Sequence, residues 1–383
     1  TIGTGFDNIT TCSTEDSNGD ILIGGAFLNF NGNSRVRLVK ISADGTEDTT
    51  FYTNLGTSFS SSVRCIAVLS DDSYLFGGNF GTFNGNSYAS FLKLNNDGTE
   101  DTAYNTNLGT GFNDNVLEIG VQSDGKSVLV GQYSTFNGNT RRKVVRINTD
   151  GTEDTTFYTN LTSTGDNSGF PSGAIASPAA ICIQADGKIV VGGNFQTLNG
   201  ASRVRLVRLN SNGTEDTAFY TNLGTGFNSS VEFIVEQSDN KLVVAGTFTT
   251  FNGNTRNNIV RLNADGTEDT TFYTNLTSTG DNSGFDTAIY GLALQDDKIL
   301  AVGDFSTVNG VARAKIARLN ADGTEDAAFY TTLGGGFDAF TAHIALRATG
   351  EAMVTGNFAD LNGNTRNYFA QLEPLRIEYI QQG

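Results

Sequence analysis

The sequence lacks several features that would indicate a membrane protein, a disulfide-stabilised protein or a histidine-dependent enzyme. No run of 18 apolar residues occurs, so no segment is expected to span a bilayer as a helix. The three cysteines, Cys12, Cys65 and Cys182, fit neither a disulfide framework nor a zinc site, and we predict that they are small core residues. The only histidine, His343, would have to serve any imidazole-dependent nucleophile. It lies in the apolar segment Ala342–Leu346, which favours a non-catalytic role.

Positive charge is also scarce. The chain has 24 Lys and Arg against 41 Asp and Glu, a net charge of -17. Phosphates select basic surfaces, so this balance argues against nucleic acid and against an anionic membrane surface as partners. Proline occurs only 3 times, whereas glycine occurs 46 times. This composition is typical of many short strands joined by tight turns.

Two sequence phrases recur along the chain. Asp-Gly-Thr-Glu-Asp, once with Asn in first place, begins at Asp44, Asp97, Asp150, Asn212, Asp265 and Asp322. Asn-Gly-X-Ser/Thr/Ala-Arg recurs seven times, with Tyr88 replacing the arginine once. A corner ending in phenylalanine recurs at Phe6, Phe59, Phe112, Phe170, Phe227, Phe285 and Phe337. Successive corners are 52 to 58 residues apart. A repeat of this length indicates a supersecondary unit that buries its apolar face only against its neighbours.

Each repeat contains four segments separated by turns. In one repeat these are Val231–Val235, Lys241–Phe248, Ile259–Leu262 and Thr270–Leu276. Asp-Gly and Asn-Gly favour tight hairpins, and β-branched and aromatic residues fill the segments, so we interpret all four as antiparallel strands. We therefore predict an all-β fold: one seven-bladed β-propeller over residues 1–383, with four antiparallel strands per blade. The expected blades are approximately 6–58, 59–111, 112–169, 170–226, 227–284, 285–336 and 337–383.

The last repeat departs from the others because it lacks the acidic phrase. Its replacement contains the alternating segment Arg376–Ile380, which we predict to be the outer strand of the seventh blade. The 27 phenylalanines are expected to pack between blades rather than to form a ligand cage.

Because neighbouring strands alternate in direction, the loops are predicted to separate onto two surfaces. One surface would carry the acidic phrases, and the other the Asn-Gly loops, the corners, the arginines and the longer inserts Leu161–Phe170 and Leu276–Phe285. Loop variation on a rigid scaffold is where binding usually occurs.

The repeated arginines allow two interpretations. They could bind carboxylates of acidic sugars, but their repetition favours a structural clamp between blades that reaches the second Asp of the acidic phrase. The structural set is Arg35, Arg141, Arg203, Arg256, Arg313 and Arg366. A binding site usually breaks the symmetry of its scaffold. The candidate ligand-binding residues are therefore Tyr88, Tyr133, Asp166, Asn167, Asp281, Asn282 and Asp338.

The acidic phrases could also bind calcium. Asp265, Glu268 and Asp269, with their equivalents in the other repeats, offer hard oxygen ligands at close spacing. The full EF-hand pattern is absent. We favour plain hairpin turns with a solvated Glu, and expect no cofactor, with Ca²⁺ as the open alternative.

The unit formed by Gly187–Phe195, Arg203–Asn210 and Asn212–Phe219 resembles the delta-60 repeat, and the resemblance extends over essentially the whole chain. It implies a β-propeller of the kind found in bacterial surface, secreted and phage virion proteins, with no shared catalytic residues. Two features depart from the usual pattern: a Glu precedes the second Asp in every acidic phrase, and Tyr88 replaces an arginine.

These observations favour a non-catalytic structural or interaction module. The first hypothesis is an extracellular phage virion component, in a tail or capsid appendage, that serves assembly or host-glycan contact. The alternative is a secreted or cell-surface bacterial adhesin, and a polysaccharide-acting enzyme is a third possibility. Expected partners are other virion or surface proteins, and glycans.

Overall fold

The repeated unit in the computed structural model consists of three antiparallel strands, a short hairpin and a helix. The structure describes residues 4–163, 165, 169–171, 178–278 and 283–373. Within these ranges the chain forms seven three-stranded sheets and seven two-stranded hairpins. Each sheet has the order inner, middle, outer, and the hairpin lies in the connection between the middle and outer strands.

The bounds of the elements follow the repeat. The inner strands are Thr10–Glu15, Val63–Val68, Val116–Val121, Pro178–Ile183, Val231–Glu236, Ile289–Gln295 and Thr341–Leu346. The middle strands are Ile21–Gly25, Tyr74–Gly78, Ser127–Gly131, Ile189–Gly193, Leu242–Gly246, Lys298–Gly303 and Ala352–Gly356. The outer strands are Leu38–Ile41, Phe91–Leu94, Val144–Ile147, Leu206–Leu209, Ile259–Leu262, Ile316–Leu319 and Phe369–Leu372.

The hairpins pair Asn29–Phe30 with Asn33–Ser34, Thr82–Phe83 with Asn86–Ser87, Thr135–Phe136 with Asn139–Thr140, Thr197–Leu198 with Ala201–Ser202, Thr250–Phe251 with Asn254–Thr255, Thr307–Val308 with Val311–Ala312, and Asp360–Leu361 with Asn364–Thr365. The helices α1 to α6 are Thr49–Leu55, Thr102–Asn107, Thr155–Leu161, Thr217–Leu223, Thr270–Leu276 and Ala327–Leu333. None of the helices in the described part of the chain is long and apolar enough to cross a membrane.

The inner strands bring successive sheets together around an axis. Each inner strand contacts the inner strand of the next sheet, and the last, Thr341–Leu346, contacts the first, Thr10–Glu15. Arg347 and Glu15 join the last and first sheets through a salt bridge of 2.7 Å between Nε and Oε1. This arrangement is that of a β-propeller.

Glycines at the ends of the middle strands allow adjacent sheets to approach closely. A Cβ built on Gly24 would lie 2.7 Å from Cys12 Sγ and 2.8 Å from Cγ1 of Val63 in the next sheet. Cys12 and Cys65 are buried, Cys182 is partly buried, and all three are free thiols on inner strands. This confirms a core position for Cys12 and Cys65.

Phenylalanine rings fill the space between sheets, as expected from the sequence. The ring of Phe59 lies 4.8 Å from that of Phe80 in the second repeat, and both rings belong to one buried cluster with Leu22 and Leu38 of the first sheet. Burial of one such ring contributes about 1.5–3 kcal/mol to stability.

The prediction of a fourth strand in each repeat is wrong. Thr270–Leu276 is helix α5, and the equivalent segments are also helices. In α1 the side chain of Asp48 accepts a hydrogen bond from Phe51 N at 2.9 Å, which caps the helix. Phe51 and Leu55 are four residues apart and both are buried, so one helical face packs against the core. This capping and burial override the β propensity of the threonines.

The other segment predictions are confirmed with shifted ends. Ile259–Leu262 has the predicted bounds, whereas Val231–Val235 extends to Glu236 and Lys241–Phe248 shortens to Leu242–Gly246. The predicted outer strand Arg376–Ile380 lies outside the described residues.

The connections form two surfaces, as predicted from strand direction. The turn surface contains Asp16–Asp20, Ser42–Thr46 and their equivalents; Ala43 N donates to Asp20 Oδ1 at 3.0 Å and so ties the two turns together. The hairpin surface contains the seven hairpins and the corners between sheets; in the first repeat Phe6 forms an antiparallel bridge with Phe30. Each helix starts near the turn surface and runs along the outer rim.

Candidate functional site

The repeated arginines belong to a cluster on the outer rim, which we call the rim cluster. In the first sheet the Arg35 guanidinium pairs with Glu47 and lies over the Tyr52 ring, 3.7 Å from its centroid. The same three residue types meet at Arg141–Glu153–Tyr158, Arg203–Glu215–Tyr220, Arg256–Glu268–Tyr273 and Arg313–Glu325–Tyr330. The arginine and the glutamate are always 12 residues apart.

This geometry corrects three expectations. The arginines contact Glu of the same repeat rather than the second Asp across a blade boundary, and that Glu is paired rather than solvated. Glu47 forms an antiparallel bridge with Ile41 at the end of the outer strand, so its carboxylate lies on the rim, within reach of Arg35. The heads of the arginines therefore meet the acidic phrases instead of occupying the opposite surface.

Arg366 differs from the other arginines. It donates from Nη1 to the Thr365 carbonyl at 2.8 Å, and it forms no ion pair with any carboxylate in residues 4–163, 165, 169–171, 178–278 and 283–373. The acidic phrase that supplies its partner in the other sheets is missing from the last repeat.

The role of the second basic row, on the outer strands, was not predicted from the sequence. Arg261 Nη2 pairs with Asp269 Oδ2 at 2.9 Å, and its Nη1 donates to the Ala321 carbonyl of the next sheet. Arg208 Nη1 reaches the Ala264 carbonyl of its next sheet at 2.6 Å. The clamp between sheets is therefore formed by the arginines of the outer strands. In the sequence, these arginines are recognisable as basic residues one place before the end of an otherwise apolar strand.

Tyr88 takes the arginine position of the rim cluster in the second sheet. Its hydroxyl donates to Glu100 Oε2 at 2.6 Å, and burial together with this hydrogen bond raises the pKa of Tyr88 to about 12. The helix position of the stacking tyrosine is Asn105 here, which bonds both backbone groups of Lys93 instead. Tyr88 thus has a structural partner, and its ligand-binding role stays a prediction.

Tyr133 is not a surface ligand residue. Its side chain is fully buried, its hydroxyl donates to the Leu129 carbonyl at 2.6 Å, and its ring lies 4.4 Å from Phe112. The prediction is wrong because Tyr133 occupies the core position that Phe27 and Phe80 occupy in the first two sheets.

Asp338 follows the repeat rather than breaking it. Its Oδ1 accepts hydrogen bonds from Ala359 N and Asp360 N, both at 3.0 Å, and Asp7 makes the same two contacts with Leu28 and Asn29. The other candidates, Asp166, Asn167, Asp281 and Asn282, lie outside the described residues.

The carboxylates considered for calcium all have protein partners. Asp265 Oδ1 accepts from Thr267 N and Oγ1, and these hydrogen bonds lower the pKa of Asp265. Glu268 pairs with Arg256. Burial alone would raise the pKa of Asp269, but hydrogen bonds and charges of Lys241 and Arg261 lower it overall. In the described part of the chain, no three His, Cys, Asp or Glu residues are grouped so that they could hold a metal ion.

The hairpin surface is fixed by one asparagine in each hairpin. In the first repeat Asn31 Oδ1 accepts from Gly5 N at 2.9 Å and so ties the hairpin to the corner. Equivalent ties are Asn84–Ser58, Asn137–Gly111, Asn199–Gly169, Asn252–Gly226, Asn309–Gly284 and Asn362–Gly336. The hairpins expose mainly amide and hydroxyl side chains: Asn33, Ser34, Asn86, Ser87, Asn139, Thr140, Ser202, Asn254, Thr255, Asn364 and Thr365.

A central cavity of about 560 Å³ lies among the inner strands. Glu118, Glu232, Phe233 and His343 line it. Burial raises the pKa of Glu118 to about 7 and lowers that of His343 to about 4. Among the described residues, no group forms a hydrogen bond with His343 Nδ1. Glu118 is not among the residues predicted from the sequence. It could have been recognised as the only carboxylate in the apolar strand Val116–Val121.

Comparison with known proteins agrees with the repeat. The family profile described as "Domain of unknown function (DUF5122) beta-propeller" matches residues 17–51, 69–104, 122–157, 184–219, 237–272 and 294–329, more than half of the chain. The chain belongs to the DUF5122 β-propeller family. Each matched DUF5122 segment runs from the end of an inner strand, or the turn after it, into the following helix, so it contains both residues of a rim pair.

Solved structures show the same fold for this DUF5122 chain. It is similar to the WD40 β-propeller domain of Doa1, with a TM-score of 0.53 and 12% sequence identity over 92% of this chain and 90% of that one. At this identity the likeness concerns the fold alone. No curated protein matches the sequence.

Proposed function

We propose that the chain is a seven-bladed β-propeller that acts as a non-catalytic interaction module and binds its partners through the hairpin surface. The observation that carries this proposal is the asparagine tie, which fixes seven hairpins against seven corners in the same way. A preformed surface has little conformational entropy to lose on binding. The seven sheets, with the last beside the first, support the blade count.

The exposed groups of this surface suit a glycan or a polar protein surface. Amide and hydroxyl side chains can donate and accept hydrogen bonds, as sugar hydroxyls do. A single hairpin is expected to bind a sugar weakly. Several hairpins held in a fixed ring gain affinity from multivalency when the ligand is built of repeating units. A polymeric host glycan is a repeating ligand of this kind.

The biological setting that we propose is extracellular, in a phage tail or capsid appendage. The delta-60 resemblance and the polar, self-similar sequence support it, and we extend the family assignment to the delta-60 repeat as part of the same proposal. A bacterial adhesin would use the same surface in another setting. Mass spectrometry of purified virions from the source phage separates them, because an adhesin would be found in the bacterial surface fraction instead.

Glycan-array binding of the full chain tests the role of the hairpin surface. The variant combines Asn33→Ala, Asn86→Ala, Asn139→Ala and Asn254→Ala, all at exposed positions. The control combines Asn18→Ala, Ser70→Ala and Ser123→Ala, which are exposed on the turn surface. Binding should be lost in the first variant and kept in the control. Equal loss in both, or loss in the control alone, would contradict the proposal, as would turnover of a bound polysaccharide.

A further inference from the structure

At the turn surface, a polar side chain at the end of an inner strand, or just after it, forms a hydrogen bond with the next sheet. In the described part of the chain this bond is present at six of the seven sheet boundaries: Asp16–Tyr74, Gln122–Gly187, Gln184–Glu236, Gln237–Asp297, Gln295–Gly350 and Arg347–Gly19. The second sheet has Leu69 at this position, and a leucine side chain cannot form a hydrogen bond. The boundary between the second and third sheets therefore lacks this bond.

The basic residue of the outer strand also fails to cross this boundary. The equivalent residues reach a carbonyl of the next sheet in the pairs Lys40–Asn96, Arg146–Ser211, Arg208–Ala264 and Arg261–Ala321. Lys93 Nζ instead lies 3.0 Å from Asp101 Oδ2 and 3.7 Å from Asp71 Oδ2, both in its own sheet. The equivalent carbonyl of the third sheet is that of Thr149, and no donor in the described residues bonds to it.

A cavity of about 370 Å³ lies between the second and third sheets, where these side chains cross at the other boundaries. Its buried floor includes Lys93, Tyr104 and Ser127, and its exposed mouth includes Ser70, Asp71, Ser123 and Thr149. Beside it on the rim, Asn107 Nδ2 of α2 donates to the Asp150 carbonyl at 2.7 Å. The two sheets are thus held together around the cavity.

The surroundings of this cavity are acidic. Lys93 is the one cation among the residues that line it, and two carboxylates already lie beside its ammonium group. Tyr104 occupies the position of Phe51 in α1, and its hydroxyl adds a polar group to the floor. Burial, together with the negative charges of Asp101 and Asp150, raises the pKa of Tyr104 well above its ordinary value. A cationic ligand is therefore favoured over an anionic one.

The next boundary shows which kind of cation fits this place. There the guanidinium of Arg146 donates to the Ser211 carbonyl of the next sheet and to Gln122 Oε1, and it pairs with Asp154. A guanidinium presents five N–H donors in one plane, so it can bond to a carbonyl and a carboxylate at the same time. An ammonium group has the charge without this planar set of donors.

We propose that the cavity between the second and third sheets binds a guanidinium group, with the Asp71 carboxylate and the Thr149 carbonyl as its acceptors. The group can be carried by a small molecule or by an arginine side chain of a partner protein. This site lies on the turn surface. It is therefore separate from the hairpin surface proposed for glycans, and either site can fail without the other.

Saturation-transfer NMR of the full chain with ethylguanidinium tests the site, and ethylammonium serves as the matched cation. The transfer to ethylguanidinium should be several-fold stronger, and Asp71→Asn should reduce it several-fold. The asparagine still offers an oxygen to Ser73 N, which bonds to Asp71 Oδ1 at 3.1 Å, so the turn should be kept. Asp239→Asn, at the equivalent exposed position of the fifth sheet, should have no effect. Equal transfer to both cations, or equal effects of the two variants, would overturn the proposal.

Restoring the residues of the other repeats tests the location. In the variant that combines Leu69→Gln and Lys93→Arg, the new side chains should cross the boundary as Gln122 and Arg146 do at the next one, and the transfer should be lost. A folded variant that keeps its transfer would overturn the location.

N-acetylarginine amide separates the two sources of the group. If it binds as well as ethylguanidinium, an arginine side chain of a partner fits the cavity; if ethylguanidinium alone binds, the ligand is a small molecule. Binding of neither probe would overturn the proposal.

Discussion

The hydroxyl of Tyr88 donates to the carboxylate of Glu100 at 2.6 Å, in the position where an arginine meets a glutamate in five other sheets. The substitution is matched on the helix, where Asn105 replaces the tyrosine that stacks on the arginine elsewhere. In the second sheet a neutral tyrosine hydroxyl thus replaces the charged, stacked arginine, and the partly buried Glu100 still has a partner.

Replacing Tyr88 with Phe should destabilise the fold by about 1–2 kcal/mol, because Glu100 loses its hydrogen-bond donor. Urea unfolding of the full chain measures the change. Tyr52→Phe is the matched control: it removes a hydroxyl for which the described residues offer no hydrogen bond, and it should cost less. Equal losses in the two variants would contradict the importance of the Tyr88 bond.

Replacing Arg261 with Ala should cost about 3 kcal/mol or more, because it breaks a buried ion pair and the contact with the Ala321 carbonyl of the next sheet. Arg261→Lys should retain most of the stability, since Lys40 and Lys93 occupy this position in the first two sheets. Differential scanning calorimetry can rank the two variants. If the lysine variant were as unstable as the alanine variant, charge alone would not explain the clamp.

Glu118 should make the folded state less stable as pH rises. Its pKa is raised to about 7 by burial, above the ordinary value of 4.5, so the folded chain binds its proton more tightly than the unfolded chain. This contribution is complete below about pH 4.5 and is lost as pH rises towards 7. Glu118→Gln should therefore gain up to about 3 kcal/mol relative to wild type between pH 4 and pH 8. A constant difference across a pH series of melting curves would contradict this.

His343 should make the folded state more stable as pH rises, which is opposite to the effect of Glu118. Burial lowers its pKa to about 4 from the ordinary 6.5, so stability from the neutral ring is present above about pH 6.5 and is lost as pH falls towards 4. Because the chain has one histidine, its ring signals in an NMR titration can be assigned without further labelling. We expect a midpoint near pH 4; a midpoint near 6.5 would show that the ring is solvated.

Calcium removal should change Tm by no more than a few degrees. The carboxylates of Glu268 and Asp269 already pair with the side chains of Arg256, Arg261 and Lys241. A calcium ion would have to displace these positively charged side chains. Melting curves with a chelator, with and without added Ca²⁺, measure the effect. A large fall in Tm on chelation would restore the calcium interpretation of the acidic phrases.

Most of the strand architecture could be read from the sequence because it depends on local patterns repeated many times. Ile259–Leu262 was bounded correctly by the alternation of apolar residues and by the turn that follows it. The helix at Thr270–Leu276 was missed because its threonines and aromatic residues favour strands locally. The available signals were the capping Asp269 and the buried pair Phe272 and Leu276.

The site predictions were less accurate because partners depend on geometry between elements. The sequence separated Arg35 from Glu47 onto opposite surfaces, whereas the bridge at Ile41 brings them together. Tyr133 departs from the repeat in the sequence, but its ring occupies the same core position as the phenylalanines of other repeats. A tyrosine can replace a phenylalanine there because a backbone carbonyl accepts a hydrogen bond from its hydroxyl.

The helix at the rim also protects the protein from its own neighbours. A bare outer strand exposes a row of backbone groups that can recruit a strand from another molecule, which is a common route to aggregation. In the first sheet the Ile41–Glu47 bridge and helix α1 cover the side of Leu38–Ile41 that would otherwise be exposed. A variant in which α1 does not form would therefore expose the outer edge of this one sheet, and pairing between copies of the chain would begin there.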